Sequence, residues 1–338
     1  MRRPERAPAR GHPTGATHDA PPAAPPTSHP RFPPWTPATA VDAHCGPGPI
    51  AMDAHHRRLR RALGHLCAAE QAENGASETP LRVAVTGTSV GIGLEFVRQY
   101  AAAGARVYAL CRSPSAATDL ADLAASSGGR VTVHAFDQAD DASAAALKTE
   151  FAGVPLDVVI NNAAAGGSGP TRGDYSEEGQ MFGGIDFDAW SDTMNTNVFG
   201  VMRATEALVP SLLLSPHPKL VQLSSAAGSI HNAMRDGEPS PDMVTTVSGH
   251  QAGRVGSPGY FVYRSSKAAM NMVNRLLDAE LAPLGVSSLV LHPGTVQTRM
   301  NDSGILPSES VGGMVARIEE MRSDKIEFMM FDGTPISW

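Results

Sequence analysis

Six short apolar runs alternate with segments of helical length along residues 80–292, and this alternation restricts the folds that the chain can adopt. The runs are Leu81–Val85, Arg106–Leu110, Val131–Ala135, Leu156–Ile160, Leu220–Leu223 and Ser287–Leu291. Within them the apolar residues are nearly continuous, which is typical of strands buried on both faces. Strands of this kind separated by helices form a parallel sheet with helices on both sides. The sequence therefore predicts one doubly wound α/β domain over residues 80–338.

The first run leads directly into a glycine-rich turn, Thr86–Gly93, and then into a helical segment that is predicted to end near Gly104. Glycines let a backbone turn sharply and approach a pyrophosphate, and the N-terminus of the next helix offers free N–H groups to the phosphates. A plain turn between a strand and a helix is the alternative interpretation. The order of strand, glycine turn and helix favours a Rossmann-like dinucleotide site.

The N-terminal part of the chain has a different composition, because the first 50 residues contain 13 of the 27 prolines. Such a segment cannot bury enough apolar surface to offset its chain entropy, so we predict that residues 1–52 are disordered. A solvated tail, a protein that begins at Met52 and an organelle-targeting peptide remain open interpretations. Residues 53–79 are predicted to form a basic leader helix and a linker, in which His55 and His56 are solvated.

Composition and charge exclude several classes of protein. The net charge of −7 and the pI of about 5.9 argue against a nucleic-acid binder. No run of 18 apolar residues occurs, which predicts no membrane span. The three cysteines are too few and too scattered for a disulfide framework or a zinc site. We therefore expect no bound metal and a reducing, cytoplasmic location.

Tyr263 and Lys267 are four residues apart in a segment of helical composition, so both side chains lie on one face of the predicted helix. A nearby ammonium favours a phenolate, and we expect it to lower the pKa of Tyr263 from its ordinary value of about 10. A tyrosine tuned in this way is a general acid or base. Tyr260 is followed four residues later by Arg264 and is a weaker candidate.

Polar residues also follow two of the predicted strands. Ser224 and Ser225 stand after Leu220–Leu223, where the carboxyl end of a parallel strand contributes to a ligand site. The segment Asn161-Asn162-Ala163-Ala164 follows Leu156–Ile160. Together with the glycine turn and Tyr263-x-x-x-Lys267, these segments resemble the classical short-chain dehydrogenases/reductases.

The segments GIGLEFVRQY, ALCRSP, YRSSKAAMN, HPGTVQTRM and the C-terminal FDGTPISW narrow the resemblance. They are similar to the carbonyl-reductase-like branch that includes sniffer and the bacterial C-factor. The similarity covers roughly residues 80–338. Ala164 departs from the glycine usual in the family, and we expect the loop after it to follow a different path because alanine tolerates a positive φ poorly.

The resemblance implies a catalytic set of Ser225, Tyr263, Lys267 and Asn197. Ser225 and Tyr263 would bind a carbonyl oxygen, and Tyr263 would donate the proton. Lys267 would hold the cofactor ribose, and the backbone of Asn197 would anchor a water relay. The implied activity is NADPH-dependent reduction of an aldehyde, ketone or quinone. Two alternatives remain open, namely a dinucleotide-binding regulatory or signalling protein with little turnover, and an interaction protein docked by its basic leader.

The predicted cofactor is NADP(H) in preference to NAD(H). Arg112 and Ser113 follow the second run. An NAD-binding protein carries an acidic residue at this place, but here no acidic residue occurs between the run and Asp119. A guanidinium suits a 2′-phosphate. A second basic residue common in NADP-binding relatives is missing. The other residues implied to contact the cofactor, beside Tyr263 and Lys267, are Gly87, Ser89, Val90, Gly91, Ile92, Gly93, Asp137, Gln138, Asn161, Ala163, Pro293, Gly294, Val296 and Thr298.

An insertion separates two of the catalytic candidates, because Ser225 and Tyr263 are 38 residues apart and the family more often has ten to twenty. The extra segment, His231–Gly256, is polar and rich in glycine, and it is either a surface loop or a lid over the substrate. Substrate specificity is assigned to the loops 165–186, 231–259 and 299–322. We expect a monomer or a homodimer that acts on a small-molecule carbonyl compound.

Overall fold

The computed structural model describes residues 79–166, 179–233, 259–298, 303–321 and 326–338. The predicted tail of residues 1–52 and nearly all of the predicted leader and linker lie outside the described residues. Most of the His231–Gly256 insertion also lies outside them, as do parts of the other two substrate loops.

Within the described residues, seven parallel strands form a single sheet. They are β1 Arg82–Thr86, β2 Arg106–Cys111, β3 Val131–Ala135, β4 Val158–Asn161, β5 Lys219–Leu223, β6 Ser287–His292 and β7 Glu327–Met330. The spatial order is β3-β2-β1-β4-β5-β6-β7. All six predicted runs form strands, with ends displaced by at most two residues, and the predicted parallel sheet is confirmed.

Strand β7 was not predicted. Its sequence, EFMM, contains two methionines and no β-branched residue, so it lacks the composition typical of a strand. It forms because Phe328 and Met330 are buried and because the strand pairs with β6 along Leu289–His292. Tertiary packing therefore determines this element.

The part of the chain that the structure describes also contains seven α-helices. They are α1 Gly91–Ala102, α2 Thr118–Ser126, α3 Asp141–Glu150, α4 Phe187–Met194, α5 Gly200–Leu212, α6 Phe261–Leu281 and α7 Pro307–Glu319. Side chains of α1, α2 and α7 share one apolar core with one face of the sheet. Side chains of α3, α5 and α6 share a second core with the opposite face. The strands are apolar on both faces because both are covered by helices.

The strand order reverses at β1, which pairs with β2 on one side and with β4 on the other. In doubly wound sheets such a reversal opens a crevice beyond the carboxyl ends of the two strands, and ligands bind there. The glycine turn follows β1, and the Asn161–Ala164 segment follows β4. No helix within the described ranges is long and apolar enough to cross a membrane.

Candidate active site

The glycine turn between β1 and α1 is tightly packed. Gly87 and Gly91 have φ values of 70° and 62°, a conformation that favours glycine. A Cβ atom at Gly87 would lie 2.7 Å from the Cα atom of Ala163, and one at Gly93 would overlap the carbonyl oxygen of Gly87. Val90, which precedes α1, makes no side-chain capping bond, so no side chain of the cap occupies the first N–H groups of the helix.

Two polar residues that were not predicted as site residues hold this turn in place, namely Thr88, which is buried, and Asn162, which is half-buried. The backbone N–H and the hydroxyl of Thr88 both donate to the carbonyl oxygen of Leu110, at 3.2 and 3.1 Å. The Asn162 amide donates to the carbonyl oxygens of Thr86 and Gly87, at 2.9 and 3.1 Å. Both residues adjoin predicted ones, but their partners are distant in the sequence and could not be inferred from spacing.

The loop after β4 contacts the glycine turn through its backbone. The hydroxyl of Thr86 accepts hydrogen bonds from the backbone N–H groups of Asn162 and Ala163, both at 3.0 Å. The Asn161 side chain instead donates to the hydroxyl of Thr205 on α5, so it braces the sheet against that helix. Ala164 has no positive φ, so alanine is accommodated there without backbone strain.

Arg112 and Ser113 are exposed immediately beyond the carboxyl end of β2, beside the glycine turn that Thr88 ties to Leu110. No hydrogen bond or ion pair of the Arg112 side chain occurs among the residues that the structure describes. The guanidinium is therefore available to a ligand at this edge.

The two residues after β3 have different surroundings. Asp137 accepts a hydrogen bond from the backbone of Ala139 at 3.0 Å. Gln138 is buried, and its amide donates to the carbonyl oxygens of Ala163 and Thr196, both at 2.9 Å. Gln138 therefore connects the loop after β4 to the helical turn that precedes α5.

The loop after β6 returns to the glycine turn. Gly294 has a φ of 79°, and the hydroxyl of Ser310 donates to the carbonyl oxygen of Pro293 at 2.6 Å. Val296 is buried and forms a bridge with Ile305. A Cβ atom at Gly91 would lie 3.4 Å from the Cγ2 atom of Thr298. The three predicted segments that follow β1, β4 and β6 thus meet at one crevice. Ser89 and Ile92, in the glycine turn of this crevice, are half-buried.

Ser225 and Ser224 point in different directions after β5. The hydroxyl of Ser224 donates to the Asn271 side chain at 2.6 Å, inside the protein. The side chain of Ser225 accepts from the backbone of Ala227 at 3.2 Å and is hydrogen-bonded to the hydroxyl of Tyr263. The structure thus brings Ser225, and not Ser224, to the phenol.

Lys267 lies one helical turn after Tyr263, and its Nζ atom is 5.8 Å from the centroid of the Tyr263 ring. Nζ donates to the carbonyl oxygen of Leu223 at 3.1 Å. Lys267 is 3% exposed, and burial lowers the pKa of its ammonium to about 8. At neutral pH this group is therefore still largely a cation.

The expected lowering of the Tyr263 pKa is wrong for this structure. Burial raises the pKa of the phenol above its ordinary value near 10, because a phenolate loses its hydration there, and the hydrogen bond from Ser225 only opposes this effect. Helical spacing places Lys267 on the correct face, but it does not reveal how deeply the phenol is buried. Tyr263 is therefore protonated at neutral pH.

The N-terminus of α6 is held by Gln180, a fully buried residue that was not predicted. Its side-chain oxygen accepts from the backbone N–H of Tyr263 at 3.1 Å, and its carbonyl oxygen accepts from the N–H of Phe261 at 3.0 Å. Its amide nitrogen lies 3.4 Å from the carbonyl oxygen of Gly166. Tyr260, the weaker catalytic candidate, precedes the helix with a φ of 55°.

Asn197 is the central residue of a π-helical turn, Asn195–Phe199, between α4 and α5. Its side-chain oxygen accepts from the N–H of Ala165 at 2.7 Å, and its nitrogen donates to the Ala165 carbonyl at 2.9 Å and to Ser266 on α6 at 3.0 Å. The turn interrupts the α-helical geometry between α4 and α5. A Cβ atom at Gly200 would lie 2.8 Å from Gln138, so the glycine permits close packing there.

His292 ends β6 and is buried. Burial and the positive charge of Lys267 lower its pKa to about 4, so the imidazole is neutral at neutral pH. Within the described ranges, no three histidine, cysteine or acidic residues are grouped as metal ligands would be.

Similarity to known proteins identifies the family of the chain. The sequence profile described as short chain dehydrogenase matches residues 82–237 and 234–305. The C-signal protein of Myxococcus xanthus is 30% identical over 196 residues, which are 57% of this chain and 99% of that protein.

Two solved structures are each 25% identical to the chain and cover 77% of it and all of their own chains. They are an NADPH-bound carbonyl reductase from chicken fatty liver, with a TM-score of 0.61, and a short-chain dehydrogenase/reductase from Burkholderia multivorans with bound NADP, with a TM-score of 0.63. The resemblance to the carbonyl-reductase-like branch is confirmed, and the chain belongs to the short chain dehydrogenase family of oxidoreductases.

Proposed function

We propose that the protein reduces the carbonyl group of an aldehyde, ketone or quinone to an alcohol, with NADPH as the electron donor. The hydrogen bond between the hydroxyl of Tyr263 and Ser225, one helical turn from the buried ammonium of Lys267, is the observation that carries the proposal. This pair of hydroxyls can hold one oxygen atom of a substrate. The NADPH-bound carbonyl reductase from chicken is a relative with the same overall fold.

The crevice suits a dinucleotide on structural grounds. Gly87 and Gly93 let the turn pack closely where any side chain would strike Ala163 or the turn itself, and Gly91 has a positive φ that disfavours a side chain. The first N–H groups of α1 face this turn without a side-chain cap, as a pyrophosphate requires. Pro293–Thr298 and Ala163 border the same turn and would contact the nicotinamide and its ribose.

Arg112 supports NADPH over NADH. It is exposed at the end of β2, and a guanidinium there can bind a 2′-phosphate by two charge-assisted hydrogen bonds. Ser113 would donate a further hydrogen bond to the same phosphate. Two structural relatives contain NADP or NADPH.

When bound, NADPH supplies the hydride. Ser225 and Tyr263 orient the substrate carbonyl and donate hydrogen bonds to its oxygen, where negative charge develops. Because burial keeps Tyr263 protonated, the phenol can transfer its proton to that oxygen. The Lys267 cation stabilises the phenolate that remains and returns a proton to it. Asn197 fixes the loop at Ala165 and holds it against Ser266 on α6.

A signalling role with little turnover is the second candidate, and the match to a protein named C-signal favours testing it. Turnover distinguishes the two. Purified protein would be incubated with a panel of aldehydes, ketones and quinones and with NADPH or NADH, and oxidation of the cofactor would be followed by absorbance. Turnover with at least one carbonyl class supports the reductase, whereas tight cofactor binding with no turnover across the panel supports the signalling role.

A further inference from the structure

One side of α6 presents a continuous stripe of polar residues to the sheet. Lys267, Asn271, Asn274 and Asp278 follow one another at intervals of four, three and four residues, so they share one face of the helix. The first three are buried, and Asp278 is half-buried near the other end of the helix. A helix that packs on a sheet normally buries an apolar stripe, so this pattern requires an explanation.

The sheet is also polar where it faces this stripe. The hydrogen bond from Ser224 to Asn271 identifies the face of β5 that meets α6. Gln222, two residues before Ser224, lies on the same face. Gln222 pairs in register with Val290 of β6, so His292, two residues further on, faces the same way.

The far end of the stripe continues this pattern. Burial raises the pKa of the Asp278 carboxylate. Ser288, at the start of β6, lies close to this carboxylate and opposes the rise in its pKa. The stripe therefore begins at Lys267 beside Tyr263 and His292, and it ends at Asp278 beside Ser288 and Arg275.

Several polar atoms of this layer have no protein partner among the described residues. They are both side-chain polar atoms of Gln222, both of Asn274, Nδ1 of His292 and the hydroxyl of Ser288. Gln222 and Asn274 are each 2% exposed. An unpaired amide is costly inside a protein, and native structures satisfy such groups with ordered water wherever the cavity is polar.

We propose that ordered water fills the layer between α6 and strands β5 and β6 and forms a proton route from the surface at Asp278 to the ammonium of Lys267. The route does not include Asn197, whose side chain binds Ala165 and Ser266. Eleven residues of helix separate its ends, which is about 16 Å, so the amides and a short chain of water molecules can span it.

The inference rests on the proposed function, because it requires Lys267 to lose a proton in each cycle. Tyr263 gives its proton to the substrate oxygen, and the Lys267 ammonium then protonates the phenolate and becomes an amine. The amine takes a proton from the adjacent water, and the chain of water molecules is reprotonated from solvent at Asp278. No electrons move in these steps.

The Gln222→Leu/Asn274→Leu double variant replaces the four unpartnered amide atoms with apolar groups of similar size. We expect kcat to fall about tenfold, which corresponds to the loss of one hydrogen bond in the rate-limiting step. The effect of D2O on kcat should grow, and the effect of deuterated NADPH should shrink, because proton delivery becomes slower than hydride transfer. The KM for NADPH should stay unchanged.

Asn274→Ser is the matched control, since it keeps a polar group and leaves room for water. It should retain isotope effects close to those of the native protein. Unchanged isotope effects in the folded double-leucine variant would overturn the proposal.

An atomic-resolution crystal structure of the native protein provides a second test that needs no turnover and no variant. Water molecules bonded to Gln222, Asn274 and His292 support the route. Amides bonded to one another with no water between them refute it. Because these water molecules can be observed even if no carbonyl substrate is found, failure of the route and failure of the proposed reductase activity are distinguishable.

Discussion

Replacing Gln180 by leucine removes the acceptor that holds the first turn of the catalytic helix. The side chain is fully buried and leucine has a similar volume, so the main change is the loss of the hydrogen bond to the backbone N–H of Tyr263. An unsatisfied buried N–H costs about 1–3 kcal/mol. At about 2–4 °C per kcal/mol for a domain of this size, we expect Tm to fall by about 2–12 °C.

Turnover should fall by more than the loss of folded protein explains, because the hydrogen bond with Gln180 also positions the backbone of Tyr263. We expect a lower kcat at temperatures where the variant is fully folded, with little change in the affinity for NADPH. Gln180→Glu is the control, since a protonated glutamic acid keeps both the acceptor and a donor. Calorimetry and steady-state kinetics on the three proteins test the reasoning. A leucine variant with native Tm and native kcat would refute it.

Three further predictions concern the cofactor, the N-terminal segment and pH. Arg112→Ala should weaken binding of NADPH by about tenfold to a hundredfold and leave binding of NADH nearly unaffected, as measured by fluorescence titration. An equal loss of affinity for both cofactors would show that the arginine has only a structural role. Removal of residues 1–75 should leave both turnover and Tm unchanged, and a large fall in Tm would contradict the composition argument. Because the pKa of His292 is about 4 in the fold against 6.5 ordinarily, an unfolded chain binds more protons between these values. Stability should therefore fall by about 3 kcal/mol as pH falls from 6.5 to 4, and denaturant titrations should show a weaker dependence in His292→Gln.

The fold was largely predictable because its signals are local. Six strands are nearly continuous apolar runs, and the glycine turn stands directly between the first strand and its helix. Strand β7 was missed because its methionines carry no strand signal and because pairing with β6 creates it.

The site was predictable only in part. Tyr263 and Lys267 were identified by residue type and spacing, and Ser225 was identified by the family resemblance. The structure brings the three together. Thr88 and Gln180 were missed because they act through backbone atoms that are 22 and 83 residues away in the chain. The direction of the Tyr263 pKa shift was wrong because it depends on burial, which spacing does not report.

Turnover of Tyr263→Phe tests the central claim most directly. The variant keeps the ring and removes the hydroxyl that bonds Ser225, so it loses the proton donor and little else. We expect carbonyl reduction to fall by about 10²–10⁴-fold. Binding of NADPH should stay near native, and Tyr260→Phe should remain active. Near-native reduction by Tyr263→Phe would contradict the account.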